Sequence, residues 1–113
     1  VRTVVKAEGV PEVTDADFEQ EVLKAPLPVL VEYTAAWCGP CRQLAPVLSE
    51  IAREEGERLK VVQLDVDANP GTTTAYGVLS MPTLMVFKDG EPVWQVVGAR
   101  PKRKLLAELA EVV

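Results

Sequence analysis

Val29-Leu30-Val31-Glu32-Tyr33-Thr34-Ala35-Ala36-Trp37-Cys38-Gly39-Pro40-Cys41 decides how the chain is read. Val29 to Tyr33 is a nearly unbroken apolar, β-branched run, the pattern of a central strand covered on both faces. A helical period follows the cysteines at Leu44, Val47, Leu48 and Ile51, predicting a helix from about Pro40 to Glu55 that closes at Gly56. Pro46 lies inside it, so a kink is expected there. Cys38 therefore falls where a strand's exit meets a helix start. Unpaired first-turn amides and the helix dipole both favour its thiolate, the attacking species in disulfide exchange. Cys41, three residues on, returns to the same side of the helix within disulfide reach and is expected to lie deeper, as the resolving thiol. Gly39 lets the chain turn and another backbone approach. Pro40 supplies a first-turn residue whose missing N–H is no loss. Trp37 offers an apolar platform, or else packs in the core.

Outward from this segment the elements alternate. Pro11-Glu12-Val13 reads as a brief strand, and residues 1–9 as a short leader with some strand character. Thr14 with Asp17 predicts a helix from Asp15 to about Lys24, burying Phe18, Val22 and Leu23 and ended by Pro26 and Pro28. Leu59 to Val66 is a second central strand, and Asn69-Pro70-Gly71 opens a short helix reaching about Tyr76. Thr83–Phe87 and Val93–Val97 flank the hairpin signal Lys88-Asp89-Gly90-Glu91. Pro101 suits the first turn of a last helix whose apolar face is Leu105, Leu106, Leu109 and Val112. The order β-α-β-α-β-α-β-β-α predicts an α/β fold, with a mixed sheet of four to five strands and helices on both faces.

Composition narrows the function. The 113 residues leave room for one domain, and 48% hydrophobic with 26% charged residues is ordinary for a globular protein. A net charge of −5 argues against a nucleic-acid partner. No apolar run approaches the roughly 18–20 residues that span a bilayer. Residues 1–6 have no long apolar signal core, so the chain as read predicts a cytoplasmic monomer, with anything ahead of Val1 outside that reading. There are two cysteines and no histidine. A disulfide closing so short a loop does little for a fold, and zinc needs four ligands where this chain offers half, leaving only a site shared across a dimer. Redox chemistry without a bound metal or cofactor is the expectation.

Trp37-Cys38-Gly39-Pro40-Cys41, with Phe18, Ala35, Pro46, Asp67, Asn69-Pro70, Tyr76-Gly77-Val78, Met81-Pro82-Thr83, Phe87, Gly90 and Gly98-Ala99, resembles the thioredoxin family. The likeness runs from about Val10 to the C-terminus, so the chain divides into an extension, residues 1–9, and a domain, residues 10–113. The resemblance implies a cis Pro82, a Met81 backbone that pairs with an extended substrate, and Gly98 and Ala99 completing a shallow groove with Trp37, Gly39 and Pro40. It also implies a protein-disulfide reductase recycled from NADPH through a thioredoxin reductase. A disulfide oxidase or isomerase on the same fold, and a non-redox binding subunit, are the alternatives. Family members usually carry a buried Asp where this chain has Glu32, and often a Lys where it has Gln63. Thr34 stands for a common Trp and Arg42 for a common Lys. Glu32 breaks the most apolar strand. Burial there should raise its pKa into the range of a base for Cys41, and the loss of a cationic partner acts in the same sense.

Overall fold

A computed structural model describes residues 6–113. The strand character expected of residues 1–9 falls, for residues 1–5, outside the described residues. Five strands form one sheet: β1 (Glu12–Val13), β2 (Val29–Thr34), β3 (Lys60–Asp65), β4 (Thr83–Lys88) and β5 (Glu91–Val97). Their spatial order is β1-β3-β2-β4-β5. β1 and β2 both run parallel to β3, whereas β4 is antiparallel to β2 and to β5. This is the mixed sheet read from the sequence, and it makes β2 the central strand, with all six of its residues buried.

Alternation along β2 sends its side chains to two cores. Val29, Val31 and Tyr33 join Phe18, Val22, Phe87, Cys38 and Cys41 on one face. Leu30 faces Leu44, Leu48, Ile51 and Leu105, from helices α1 (Gly39–Glu55) and α3 (Lys102–Leu109). The expected stripes of both helices face the core, although Val47, Leu106 and Val112 are only partly covered. α1 runs unbroken past Pro46, which has no N–H to offer the carbonyl one turn back. Pro101 caps α3 from outside its first turn. Lys102 pairs with Glu50 (2.9 Å) and Glu54 (2.8 Å) of α1, so one member of the Lys102-Arg103-Lys104 run is engaged within the fold.

The helix expected over Asp15–Lys24 is shorter than its sequence signal. Only a π-helical segment, Glu19–Leu23, forms, with the Lys24 amide donating to the Glu19 carbonyl (2.9 Å). Thr14 and Asp17 do bond as a cap would, the Thr14 amide donating to Asp17 Oδ1 at 2.6 Å. Asp15, however, is committed elsewhere. Its carboxylate accepts from the Gly71 and Thr72 amides (3.0 and 2.8 Å), which open helix α2 (Pro70–Ala75), and its own amide donates to Asn69 Oδ1 (2.8 Å). The Thr72 side chain first, then the Thr72 and Gly71 amides, hold Asp15's carboxylate below its ordinary pKa. A long-range cap has taken precedence over a local helix start.

The β4–β5 hairpin turns on two residues, Asp89 (φ 53°) and Gly90 (φ 80°), the left-handed pair that a tight twisted hairpin requires. A Cβ at Gly90 would sit 3.2 Å from the Leu23 carbonyl oxygen. Gly90→Ala should therefore lower stability by roughly 1–2 kcal/mol. Urea unfolding checks this: the midpoint should fall with an unchanged slope.

Candidate active site

β2 ends at Thr34, and a turn through Ala36 and Trp37 delivers Cys38 to the N-cap of α1. Cys38 and Cys41 form a disulfide, with Cα atoms 5.3 Å apart. The Cys41 amide donates to Cys38 Sγ at 3.2 Å. That donor, on the first helical turn, stabilises negative charge on the Cys38 sulfur once the disulfide opens. Arg42 donates to the Ala36 carbonyl (3.3 Å), tying the loop to the helix start. Depth does not rank the two cysteines. Cys38 is 3% and Cys41 4% exposed, so the greater depth expected of Cys41 is absent in this oxidised state, where the bond holds both residues at one level.

Around the disulfide the fold collects most of the residues picked out in the sequence. Gly39 and Pro40 are exposed in the first turn of α1. Trp37 is 55% exposed, which settles its packing alternative: it lies on the surface. Its indole Nε1 donates to Asp67 Oδ2 at 2.9 Å. Asp67 was not singled out for a role in the sequence, although it is one of the residues carrying the resemblance. Only the turn after β3 brings it to Trp37. The Met81–Pro82 peptide is cis. Met81 packs against the core cluster that contains both cysteines, and it lies just ahead of β4, whose ladder begins at Thr83. The Gly98 amide donates to the Pro82 carbonyl (2.8 Å), so the β5 exit is bonded to the cis-proline loop. Gly98 has φ 101°, a conformation L side chains rarely adopt, and Ala99 beside it is exposed. Leu79, 90% exposed and two residues before Met81, is an apolar neighbour that the sequence did not mark out.

Glu32 stands apart from this surface. It is fully buried on the Leu30 side of β2, opposite Gln63 in the parallel register with β3. Gln63 Nε2 donates to Glu32 Oε1 at 2.8 Å, whereas Oε2 has no hydrogen-bond partner among the described residues. No described hydrogen bond joins Glu32 to either sulfur. Burial raises its pKa to about 7, against the smaller, opposing effect of the Gln63 bond. Among the described residues no group of three or more His, Cys, Asp or Glu is placed to hold a metal. No helix among them is long and apolar enough to cross a membrane.

The family model described as Thioredoxin matches residues 9–111. The thioredoxin of Mycobacterium tuberculosis (strain ATCC 25618 / H37Rv) is 54% identical over 101 residues, covering 89% of this chain and 87% of the relative. Thioredoxin 1 of Synechococcus elongatus is 55% identical over 93 residues, 82% of this chain and 87% of that protein. The thioredoxin of Alicyclobacillus acidocaldarius is 50% identical over 99 residues, 88% and 93% respectively.

The buried acid sets a pH dependence of stability. Glu32 titrates near 4.5 when unfolded and near 7 when folded, so between those values the folded state holds the extra proton. Stability is then greatest below about 4.5 as far as this group is concerned, and falls as pH rises to about 7, by on the order of 3 kcal/mol. Urea melts of the oxidised protein across this window should show the decline, and Glu32→Gln should remove it. Asp67→Ala, which frees the Trp37 indole, should raise KM for a protein disulfide by roughly two- to tenfold, the worth of one hydrogen bond, with Asp67→Asn close to the native value.

Proposed function

The chain belongs to the thioredoxin family, as a dithiol–disulfide oxidoreductase using the Cys38–Cys41 disulfide, and we propose that it serves as a reductant of disulfides in partner proteins. The observation that carries this reading is the Cys41 amide donating to Cys38 Sγ at the start of α1, because it makes one sulfur of the pair the better anion.

In the reduced protein the Cys38 thiolate attacks a sulfur of the partner's disulfide. A mixed disulfide forms and one partner thiolate leaves. Cys41 then attacks Cys38 Sγ, closing the Cys38–Cys41 bond and expelling the second partner thiolate, so two electrons pass to the partner. Glu32 takes the Cys41 proton by way of an intervening water. A carboxyl with a pKa of about 7 is half ionised at neutrality and suits that exchange. The partner chain lies extended along the Met81 backbone ahead of β4 and Pro82, flanked by Trp37, Gly39 and Pro40 on one side and Gly98 and Ala99 on the other. The exposed Trp37 and the Gly98–Pro82 bond support that groove. Electrons return from NADPH through a thioredoxin reductase, which would place the protein in the cytoplasm, where such a couple is kept reducing.

The Gly-Pro pair between the cysteines favours reduction over oxidation or isomerisation. A potential near the reference value for reducing members, about −270 mV, is expected for the Cys38–Cys41 couple, and one near about −120 mV would overturn the direction. In an NADPH-coupled insulin-reduction assay, Cys38→Ser should abolish turnover and Cys41→Ser should trap the mixed disulfide. A pure binding subunit would keep its biological effect as Cys38→Ser. Glu32→Ala should slow single-turnover release of the mixed disulfide by on the order of 10²-fold, a general base's usual share. Unchanged release would remove Glu32 from the mechanism.

A further inference from the structure

Gln63 is held by more than its strand. Its backbone amide donates to the Pro11 carbonyl (2.9 Å), and its side-chain Oε1 accepts from the Ala7 backbone amide at 3.0 Å. Ala7 and Val10 are themselves buried against the core that includes Leu30, Leu44 and Val61, and the Val10 amide donates to the Ala7 carbonyl (3.0 Å). The short segment ahead of β1 thus sits directly on Gln63.

An amide N–H can only donate, so the carboxamide atom facing Ala7 must be oxygen. Nε2 is then turned the other way, onto Glu32 Oε1. That orientation decides where Glu32 can carry a proton. On Oε1 a proton would meet the Nε2–H, donor against donor. On Oε2, buried and without a hydrogen-bond partner among the described residues, it meets no such conflict. We propose that the Lys6–Val10 segment is a positioning element for the resolving step: the Ala7 amide orients the Gln63 carboxamide, which occupies Glu32 Oε1 and leaves Oε2 as the atom that takes the Cys41 proton. This rests on Glu32 being the resolving-step base.

Charged groups on the surrounding elements are engaged elsewhere. Lys6 of the segment pairs with Glu12 of β1 (2.8 Å), and Lys60 of β3 with Glu21 (3.0 Å). Asp65 of β3 accepts from the Asp67 amide (3.0 Å), and Arg42 of α1 donates to the Ala36 carbonyl. From α3, Lys102 pairs with Glu50 and Glu54 of α1, and Lys88 of β4 donates to the Val112 carbonyl (3.5 Å). The titratable group on α1 nearest its start is Cys41, silent while disulfide-bonded.

The test is an NMR pH titration of the oxidised protein, following the Glu32 carboxyl carbon and the Ala7 amide. In the native protein the Ala7 amide shift should titrate with the Glu32 midpoint, relayed through Gln63. In Gln63→Leu that dependence should vanish and the Glu32 midpoint should rise by roughly 0.5–1 pH unit, since a bond to the charged form is lost. Ala7→Pro, which removes the N–H, should raise the midpoint in the same sense, and should add nothing in a Gln63→Leu background. Ala7→Gly, which keeps the N–H, should not. An Ala7 amide blind to the Glu32 titration in the native protein would overturn the proposal, as would an unmoved midpoint in folded Ala7→Pro. Should Ala7→Pro not fold, the native and Gln63→Leu titrations decide alone. Mixed-disulfide release in Glu32→Ala is read separately, so failure of the relay and failure of Glu32 as base give different results.

Discussion

β2 is hydrogen-bonded along both edges, parallel to β3 and antiparallel to β4, and no residue of it reaches solvent. A strand held on four sides cannot shift register without turning each buried residue to the wrong core. Its end is therefore a fixed point, and the chemistry hangs from that end. Thr34 stops the strand, three residues carry the chain to Cys38, and the first turn of α1 begins with the Cys41 amide aimed at sulfur. The cis-proline loop is placed by the same ladder, since β4 starts one residue after Pro82 and pairs with Tyr33 at Thr83.

The same strand contributes Glu32 to a buried polar pair with Gln63 of β3, a conspicuous departure from an apolar core. A buried carboxylate with a neutral amide for its partner keeps one oxygen compensated and the other not. Such a group works against stability at neutral pH, and a Leu there would fit the sheet at less cost. A proton held and released there is what the proposed resolving step would draw on. A lysine opposite it would supply a charge; Gln63 supplies a neutral donor, while its Oε1 accepts from the Ala7 amide outside β3.

Periodicity revealed the layers because each strand and helix must bury one face, and burial leaves a repeat in the residue types. β2 and β3, the stripes of α1 and α3, and the Asp89-Gly90 turn were legible for this reason. The Asp15–Lys24 segment is helical over a shorter span than its sequence signal. Its local cap signal is present and its hydrogen bonds form, but Asp15 is drawn to the start of α2, which lies 56 residues away in sequence from Asp15 to Gly71. Nothing within a window of neighbouring residues records such a claim. Asp67 escaped notice as a tether for Trp37 on the same ground: an acid in a turn after a strand looks like a solvated charge until the indole is placed beside it.

From the chain's order of residues alone came the pair of cysteines at a strand-to-helix junction, the absence of histidine and of further cysteine ligands, and the family likeness that supplied Pro82, Gly98 and Ala99. These are local or enumerable properties, readable without coordinates. Tertiary structure alone decided that the two cysteines are equally buried, that Trp37 faces outward on an Asp67 hydrogen bond, and that Glu32 has one oxygen without a hydrogen-bond partner among the described residues while the Ala7 amide bonds to Gln63. The second and third depend on atoms distant in sequence being brought together by the fold, and no periodicity encodes which atoms those are.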